Sequence, residues 1–230
     1  MHPIERLRAV ARADWAPADV LAAEAAWALG ELATVEPHAL LPACRRLLER
    51  HPGCGPLWWV CARMLCAGDP VPEAHRCIEE LDADPTVELL EEALDTVGRA
   101  VRHGGVGDVA SAEVVVVEAV ALGADAMVVD PDDQGLLAAA RAVEVPIWVE
   151  AGVGRSLPGR LFAAALRRLE DRSDVRRRHD AAPPAYGHRR HVVEPLTGVA
   201  QVVGPQGAAA VTAALARTDC PEPPELLAPW

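Results

Sequence analysis

Residues 113–161 read EVVVVEAVALGADAMVVDPDDQGLLAAARAVEVPIWVEAGVGRSLPGRL, and no other segment constrains the fold as much. Val114 to Val117 form one apolar run, and Val145 to Val149 form another around Pro146. Neither run alternates with polar residues, which suits strands buried on both faces of a sheet. Between them Leu136, Leu137, Ala140 and Val143 recur at helical spacing. The segment therefore predicts strand, loop, helix, strand, glycine loop and helix, the repeating unit of a parallel sheet flanked by helices.

The first third predicts a different architecture. Asp14 is placed to cap a helix starting at Pro17, with Leu21, Ala25, Ala28 and Leu32 on one face. Pro37 opens a second amphipathic helix whose inward side is Leu40, Leu41, Cys44, Leu47 and Leu48. A third helix starts at Pro56 with Leu57, Trp58, Cys61 and Leu65, and a fourth follows Pro70-Val71-Pro72. A fifth runs from Thr86 with Leu89, Leu90, Ala93, Leu94 and Val97 inward, and early Glu88, Glu91 and Glu92 suit its dipole. The breaker His103-Gly104-Gly105-Val106-Gly107 separates this helical part from the sheet. A late strand is expected at Val199 to Val203, with a short one at His191 to Val193.

The expected organisation is a helical domain over residues 1–104, a reduced α/β domain over 105–219, and an extended tail over 220–230. The fold class is α/β: an N-terminal helical bundle followed by a reduced, mostly parallel Rossmann-like sheet flanked by helices.

Charge narrows the partners. The chain has 230 residues and a net charge of −12, and all 22 of its basic residues are arginine. Phosphate backbones would be repelled, so nucleic acid is not an expected partner. Nine arginines face four acids between Arg160 and His191, a local excess that suits a solvated helix face or an acidic partner. No apolar run approaches the ~20 residues of a membrane span. The amino-terminal MHPIERLRAVARADW carries no secretory pattern, so a cytoplasmic protein is expected. The alanine-, valine-, proline- and arginine-rich usage suits a high-GC bacterial genome.

Six cysteines form no CxxC pair, and five of them fall in the helical third, where reduced cysteine acts as a small buried hydrophobe. His188 and His191 in HRRH lack a third ligand nearby, so no metal site is expected.

Acid–base chemistry needs a titratable group at hydrogen-bond range from the moving proton. Carboxylates near strand ends are Glu113, Glu118, Asp125, Asp130, Asp132, Asp133 and Glu150. Glu118 and Glu150 follow the two apolar runs, at the carboxyl edge where open α/β sheets gather ligands. The loop Gly152-Val153-Gly154-Arg155-Ser156 leads into a helix. Its backbone N–H groups and Arg155 suit a phosphate or carboxylate, without full GxGxxG or Walker spacing. Asp130-Pro131-Asp132-Asp133 could hold a cation, although a helix cap at Asp132 or Asp133 accounts for it more simply.

Several of these segments are similar to one family. AEVVVVEAVALG followed by QGLLAAARAVEVPIWVEAG resembles a late strand–helix–strand of the methylthioribose-1-phosphate isomerases and their relatives, the α, β and δ subunits of eukaryotic initiation factor 2B. HPGCGPLWWVCARML resembles that family's Arg-Pro-Thr…Leu-Phe-Trp-Ala-Leu…Met phrase, and AAEAAWAL (residues 22–29) sits at its alanine-rich helix. The order is the same, and the pieces cover roughly 60% of the chain.

The resemblance implies the NagB/RpiA/CoA-transferase-like fold, dimerisation through the α/β half, a phosphorylated small molecule as possible ligand, and no cofactor. In the isomerases a cysteine of a Thr-His-Cys-Asn turn and the aspartate of a Gly-Ala-Asp turn carry proton transfer. Alignment on Val114–Val117 places Glu118 and Ala119 at Gly-Ala and Val120 at the aspartate. A Gly-Ala-Asp does occur at Gly123–Asp125, beyond the strand end. Counterparts of the Thr-His-Cys-Asn turn and of the Glu-Thr-Arg-Pro segment are not found in the shortened central region.

The resemblance thus leaves three readings. The leading one is a non-catalytic regulatory or ligand-binding protein like initiation factor 2B. Another is a sugar-phosphate isomerase using Glu118 or Asp125, with an anion held by Gly152, Gly154, Arg155, Ser156 and Glu150. The third is a truncated paralogue without a ligand.

Overall fold

The structure, a computed structural model, describes residues 2–13, 15–102, 106–179 and 191–228, apart from the side chains within 173–179. Asp14, His103 to Gly105 and His188 lie outside the described residues. Five helices come first: α1 (Pro3–Val10), α2 (Ala18–Val35), α3 (Leu40–Arg50), α4 (Gly55–Cys66) and α5 (Pro70–Asp82). There follow α6 (Thr86–Leu94), β1 (Ala100–Arg102), β2 (Val114–Glu118), β3 (Ala121–Leu122), β4 (Ala126–Val129), α7 (Gln134–Ala142) and β5 (Ile147–Glu150). The chain ends with α8 (Gly159–His179), β6 (Val192–Pro195), β7 (Val199–Gly204), β8 (Gly207–Ala209), α9 (Val211–Leu215) and α10 (Pro224–Leu227).

Two compact units result. One comprises residues 1–83, 157–189 and 220–230; the other comprises 84–156 and 190–219.

In the helical unit α4 is apolar nearly all round, which marks a central helix, and Leu57, Trp58, Trp59, Val60 and Cys61 are all buried. The indole N–H of Trp58 donates to the Pro52 carbonyl at 2.8 Å, so its polar atom is satisfied inside the core. Helix α2 packs against α1, α4 and α5. Helix α1 was not expected from the sequence. Pro3 at its first turn, the His2 ring accepting from the Ile4 N–H, and inward Leu7 and Val10 account for it. Pro17 precedes α2 as its cap residue instead of standing inside it.

A charged cluster braces α4 against α5. Arg63 donates to Glu73 and, at 2.8 Å, to both Glu80 oxygens, while its guanidinium lies 4.6 Å above the Trp59 ring. Arg76 is the second donor to Glu73, whose residue surface is only 7% exposed. Burial alone would push the Glu73 carboxyl up. The hydrogen bonds from Arg76 and Arg63 outweigh it and hold the group below the ordinary glutamate value.

The segment 220–228, expected to be extended, is instead packed. Leu226 in α10 is fully buried, Cys220 is buried, and Arg45 donates to the Glu225 carbonyl at 2.9 Å. The Arg160 N–H at the start of α8 donates to the Glu222 side chain at 3.2 Å. Prolines 221, 223 and 224 suggested a loose arm, but Pro224 stands at the first turn of a helix, where its missing N–H is harmless.

The second unit holds a five-stranded sheet in the order β1-β2-β5-β7-β8, with β1, β2, β5 and β7 parallel and β8 antiparallel at the edge. This is the mostly parallel, helix-flanked sheet that the apolar runs predict. Both faces are covered. Val115, Val117, Ile147, Val149 and Val202 meet Leu136, Leu137 and Ala140 of α7 on one side. Val114, Val116 and Val203 meet Leu90 of α6 on the other, with Trp148 packed alongside. That double burial is why β2 shows no polar alternation.

The structure departs from the expected loop between β2 and α7. Residues 121–129 form a hairpin, β3–β4, and β6 pairs antiparallel with β4 in a separate three-stranded sheet. Arg141 of α7 fastens β6 by donating to Glu194 at 2.6 Å and to the Pro195 and Thr197 carbonyls. Asp133 occupies the N-cap position of α7, as expected, but without a side-chain cap bond to that helix. Asp130 makes the side-chain cap, accepting from the Asp132 N–H at 3.0 Å ahead of a 3-10 turn that runs into α7.

Candidate functional site

The parallel strands β1, β2, β5 and β7 succeed one another in chain order across the sheet, so among the described strands that order never reverses. Ligand crevices in open α/β sheets form where it does reverse. The carboxyl edge is therefore defined by its side chains alone.

Glu118 and Glu150 end β2 and β5 and lie directly opposite in the parallel register. They share the sheet face that carries Val116 and Trp148, the face covered by α6. Arg155 pairs with Glu118 at 2.6 Å and donates to the Ala119 carbonyl at 2.9 Å. The Arg155 side chain is 13% exposed and that of Glu118 57%, so the pair sits at the solvent boundary. Burial, and then the neighbouring Glu118 charge, push the Glu150 carboxyl above its ordinary value, while Arg155 and Arg102 oppose the rise.

The glycine loop follows β5. Gly154 has φ of +73°, a conformation that glycine adopts without a Cβ penalty. The Val153 N–H donates to Asp84 Oδ2 at 2.7 Å, and a Cβ on Gly152 would overlap that carboxylate. The other oxygen of Asp84 accepts from the Thr86 N–H at 3.0 Å and the Thr86 hydroxyl at 2.5 Å, at the residue that opens α6. Backbone bonds fix the rest of the loop. Arg155 O accepts from Leu122 N–H at 2.7 Å, and Ser156 O accepts from the Thr218 hydroxyl at 2.7 Å.

The structure thus gathers Glu118, Glu150, Gly152, Gly154, Arg155 and Ser156 at one edge and adds Asp84, which sequence reasoning missed. The Asp84-Pro85-Thr86 run signals only the start of a helix at Thr86. Nothing in it signalled contact with a loop 69 residues away.

Asp125 is elsewhere. It sits exposed in the β3–β4 turn, where Gly123 N–H donates to Ala126 O at 2.9 Å. Gly123-Ala124-Asp125 is therefore a hairpin turn, and Val120, expected from the resemblance at the position of the isomerase aspartate, is 8% exposed. Glu113 accepts from the Gly98 N–H at 3.1 Å and serves the entry to β1. Cys44, Cys54, Cys61 and Cys77 are buried in the helical unit, and burial pushes the Cys61 thiol up beside its Cys44 partner. Among the described residues no cluster of His, Cys, Asp or Glu has metal-binding geometry.

The raised Glu150 has a pH consequence. As pH rises through the ordinary glutamate range, the unfolded chain loses this proton before the folded one, so ionised Glu150 weakens the fold. Glu150→Gln is expected to stabilise the protein modestly at neutral pH and to match the wild type in acid, where both states keep the proton. Paired thermal melts across that range check the sign.

The fold matches solved structures over nearly its whole length. Translation initiation factor eIF-2B from Pyrococcus horikoshii OT3 superposes with a TM-score of 0.68 at 12% identity, covering 93% of this chain and 98% of that one. The tetrameric eIF2B-beta2-delta2 complex from C. thermophilum gives 0.66 at 12% identity, with 93% and 92% covered. The 5-methylthioribose 1-phosphate isomerase from P. horikoshii OT3 gives 0.53 at 12% identity, with 93% and 87% covered. No protein-family model matches the chain, and no curated protein matches it in sequence. The chain therefore has the fold shared by initiation factor 2B proteins and the isomerase.

Proposed function

We propose that this chain is a non-catalytic protein of the initiation-factor-2B kind, acting in the cytoplasm by binding and assembly, and that it forms a homodimer through its α/β half. The observation that carries this reading is the state of the carboxyl edge. By the resemblance of the 113–129 segment, Val120 falls at the isomerase aspartate, and valine has no proton to exchange. Glu118 is tied to Arg155 at 2.6 Å. The glycine-loop N–H of Val153 is taken by Asp84 at 2.7 Å. A single short strand, β1, precedes β2 in the parallel sheet among the described residues, and no reversal of strand order opens a crevice.

Assembly has support from the relative whose structure is that of a tetrameric complex. Light scattering of the purified protein tests it. The expected mass is twice the 24.4 kDa of one chain, and a monomer at every concentration would contradict the dimer.

One observation favours a catalytic reading. Glu150, with its raised carboxyl opposite Glu118, has the environment of a general acid. Under that reading a phosphosugar would be isomerised at this edge, and Glu118→Gln or Glu150→Gln would abolish turnover.

A further inference from the structure

The helical unit holds segment 220–228 in the way that proteins hold a peptide. Cys220, Pro223 and Leu226 are its buried residues, three apart, while Pro224 and Glu225 between them are exposed. Pro223 has φ of −62° and ψ of 126°, close to polyproline II, in which positions three apart face the same way. The α10 turn keeps that spacing and buries Leu226 fully. One face of the segment is seated, and most of the rest is exposed or half-buried.

Arginines supply the polar half of the seat. Arg45 of α3 donates to the Glu225 carbonyl at 2.9 Å, and Arg167 and Arg168 of α8 reach the Leu227 and Ala228 carbonyls at 3.4 and 3.5 Å. All three bonds go to the main chain of the segment. Carbonyls at the end of a helical turn have no partner within the helix, so they take such donors. Main-chain bonds combined with pockets for spaced side chains are the physics of peptide docking. Gathering these cations works against their charge. Burial, with Arg167 and Arg45 close by, pushes the Arg168 guanidinium below its ordinary value despite Glu49 and Asp171. Part of the arginine excess between Arg160 and His191 is thus spent on the segment's carbonyls.

We propose that α3 and α8 form a peptide-docking surface and that segment 220–228 is its internal ligand, displaceable by a partner segment of the same chemistry. That partner segment is a proline-led extended stretch with apolar side chains three apart, closing in a leucine-bearing helical turn. The resident segment sets the affinity such a partner must exceed. The surface lies in the helical unit and does not involve the carboxyl edge, so the non-catalytic reading stands or falls without it.

The probe is a fluorescein-labelled synthetic peptide of residues 219–230, kept reduced, and the readout is its fluorescence anisotropy with the full chain. Leu226→Asp removes the buried anchor of the resident segment and leaves α3 and α8 unaltered. Leu226→Ala is the milder change if the aspartate variant folds poorly. In the wild type the tethered segment competes at a local concentration on the order of millimolar, so the peptide binds weakly. The expected result is binding at least about tenfold tighter to the variant than to the wild type. A peptide carrying the same Leu226→Asp change is expected not to bind. Equal binding to variant and wild type, no binding to either, or equal binding of the altered peptide would overturn the proposal. So would loss of the folded state in both variants, because the segment would then be part of the core and not a ligand.

Discussion

Arg63→Met is expected to destabilise the protein by about 3–5 kcal/mol, because it strands a buried charge instead of removing a surface pair. Glu73 is buried, and Arg63 and Glu73 side chains are only 12% and 10% exposed. Methionine preserves much of the stem that packs near Trp59 but gives up the cation over its ring and the paired bonds to Glu80. Arg76 alone would remain on Glu73, and its own side chain is 56% exposed.

The loss should depend on pH in a known direction. Glu73 is held below the ordinary glutamate value in the fold, so its stabilisation is complete above that range and disappears as pH falls through it toward the folded value. Urea denaturation at neutral pH should show the full deficit, and denaturation in acid a smaller one. A deficit of equal size at both would mean that packing, not charge, makes the cluster matter. The double variant Arg63→Met/Glu73→Gln should recover part of the loss, since the stranded charge is then gone.

Val120→Asp, which would restore the aspartate of the isomerase alignment, is expected to weaken the fold and yield no enzyme. Val120 is 8% exposed, and its N–H is already bonded to the Val128 carbonyl at 2.8 Å. A carboxyl placed there must be buried. Burial raises such groups by up to about three units, and at ~1.4 kcal/mol per unit the ionised form costs up to about 4 kcal/mol. The expected readout is a large drop in melting temperature that eases in acid, together with no isomerisation of 5-methylthioribose 1-phosphate. Recovery of turnover in this variant would mean that the edge is a catalytic site lacking one group.

Much of the architecture was legible in the residues. Val114–Val117 are apolar without alternation because α7 and α6 bury opposite faces of the strand through Leu137 and Leu90. Leu136, Leu137 and Ala140 recur at helical spacing because one face of α7 meets the sheet. The β3–β4 hairpin was not legible. Ala121-Leu122 is too short to show a period, and β6, the second partner of β4, follows only after α7, β5 and α8, beyond the reach of any local pattern.

The candidate site divides in the same way. Glu118 and Glu150 could be placed at strand ends from sequence, since each follows an apolar run, and Arg155 in the glycine loop behind the second. Their mutual arrangement depends on the Glu118–Glu150 register, which two strands separated by a helix do not reveal. Asp84 was hidden for a related reason. Its local pattern accounts for one carboxylate oxygen, on Thr86, and only the folded chain brings the other to Val153.

If the protein is non-catalytic as proposed, no proton transfer takes place at this edge. Aldose-to-ketose isomerisation by proton transfer takes a proton from C2 and returns one to C1, so a reaction in deuterated water labels these carbons even when net conversion is slow. Incubating the purified wild-type chain with 5-methylthioribose 1-phosphate in deuterated water, followed by NMR, measures both conversion and exchange. The account predicts neither above the protein-free rate. Enzyme-dependent exchange or conversion that disappears in Glu118→Gln would contradict it.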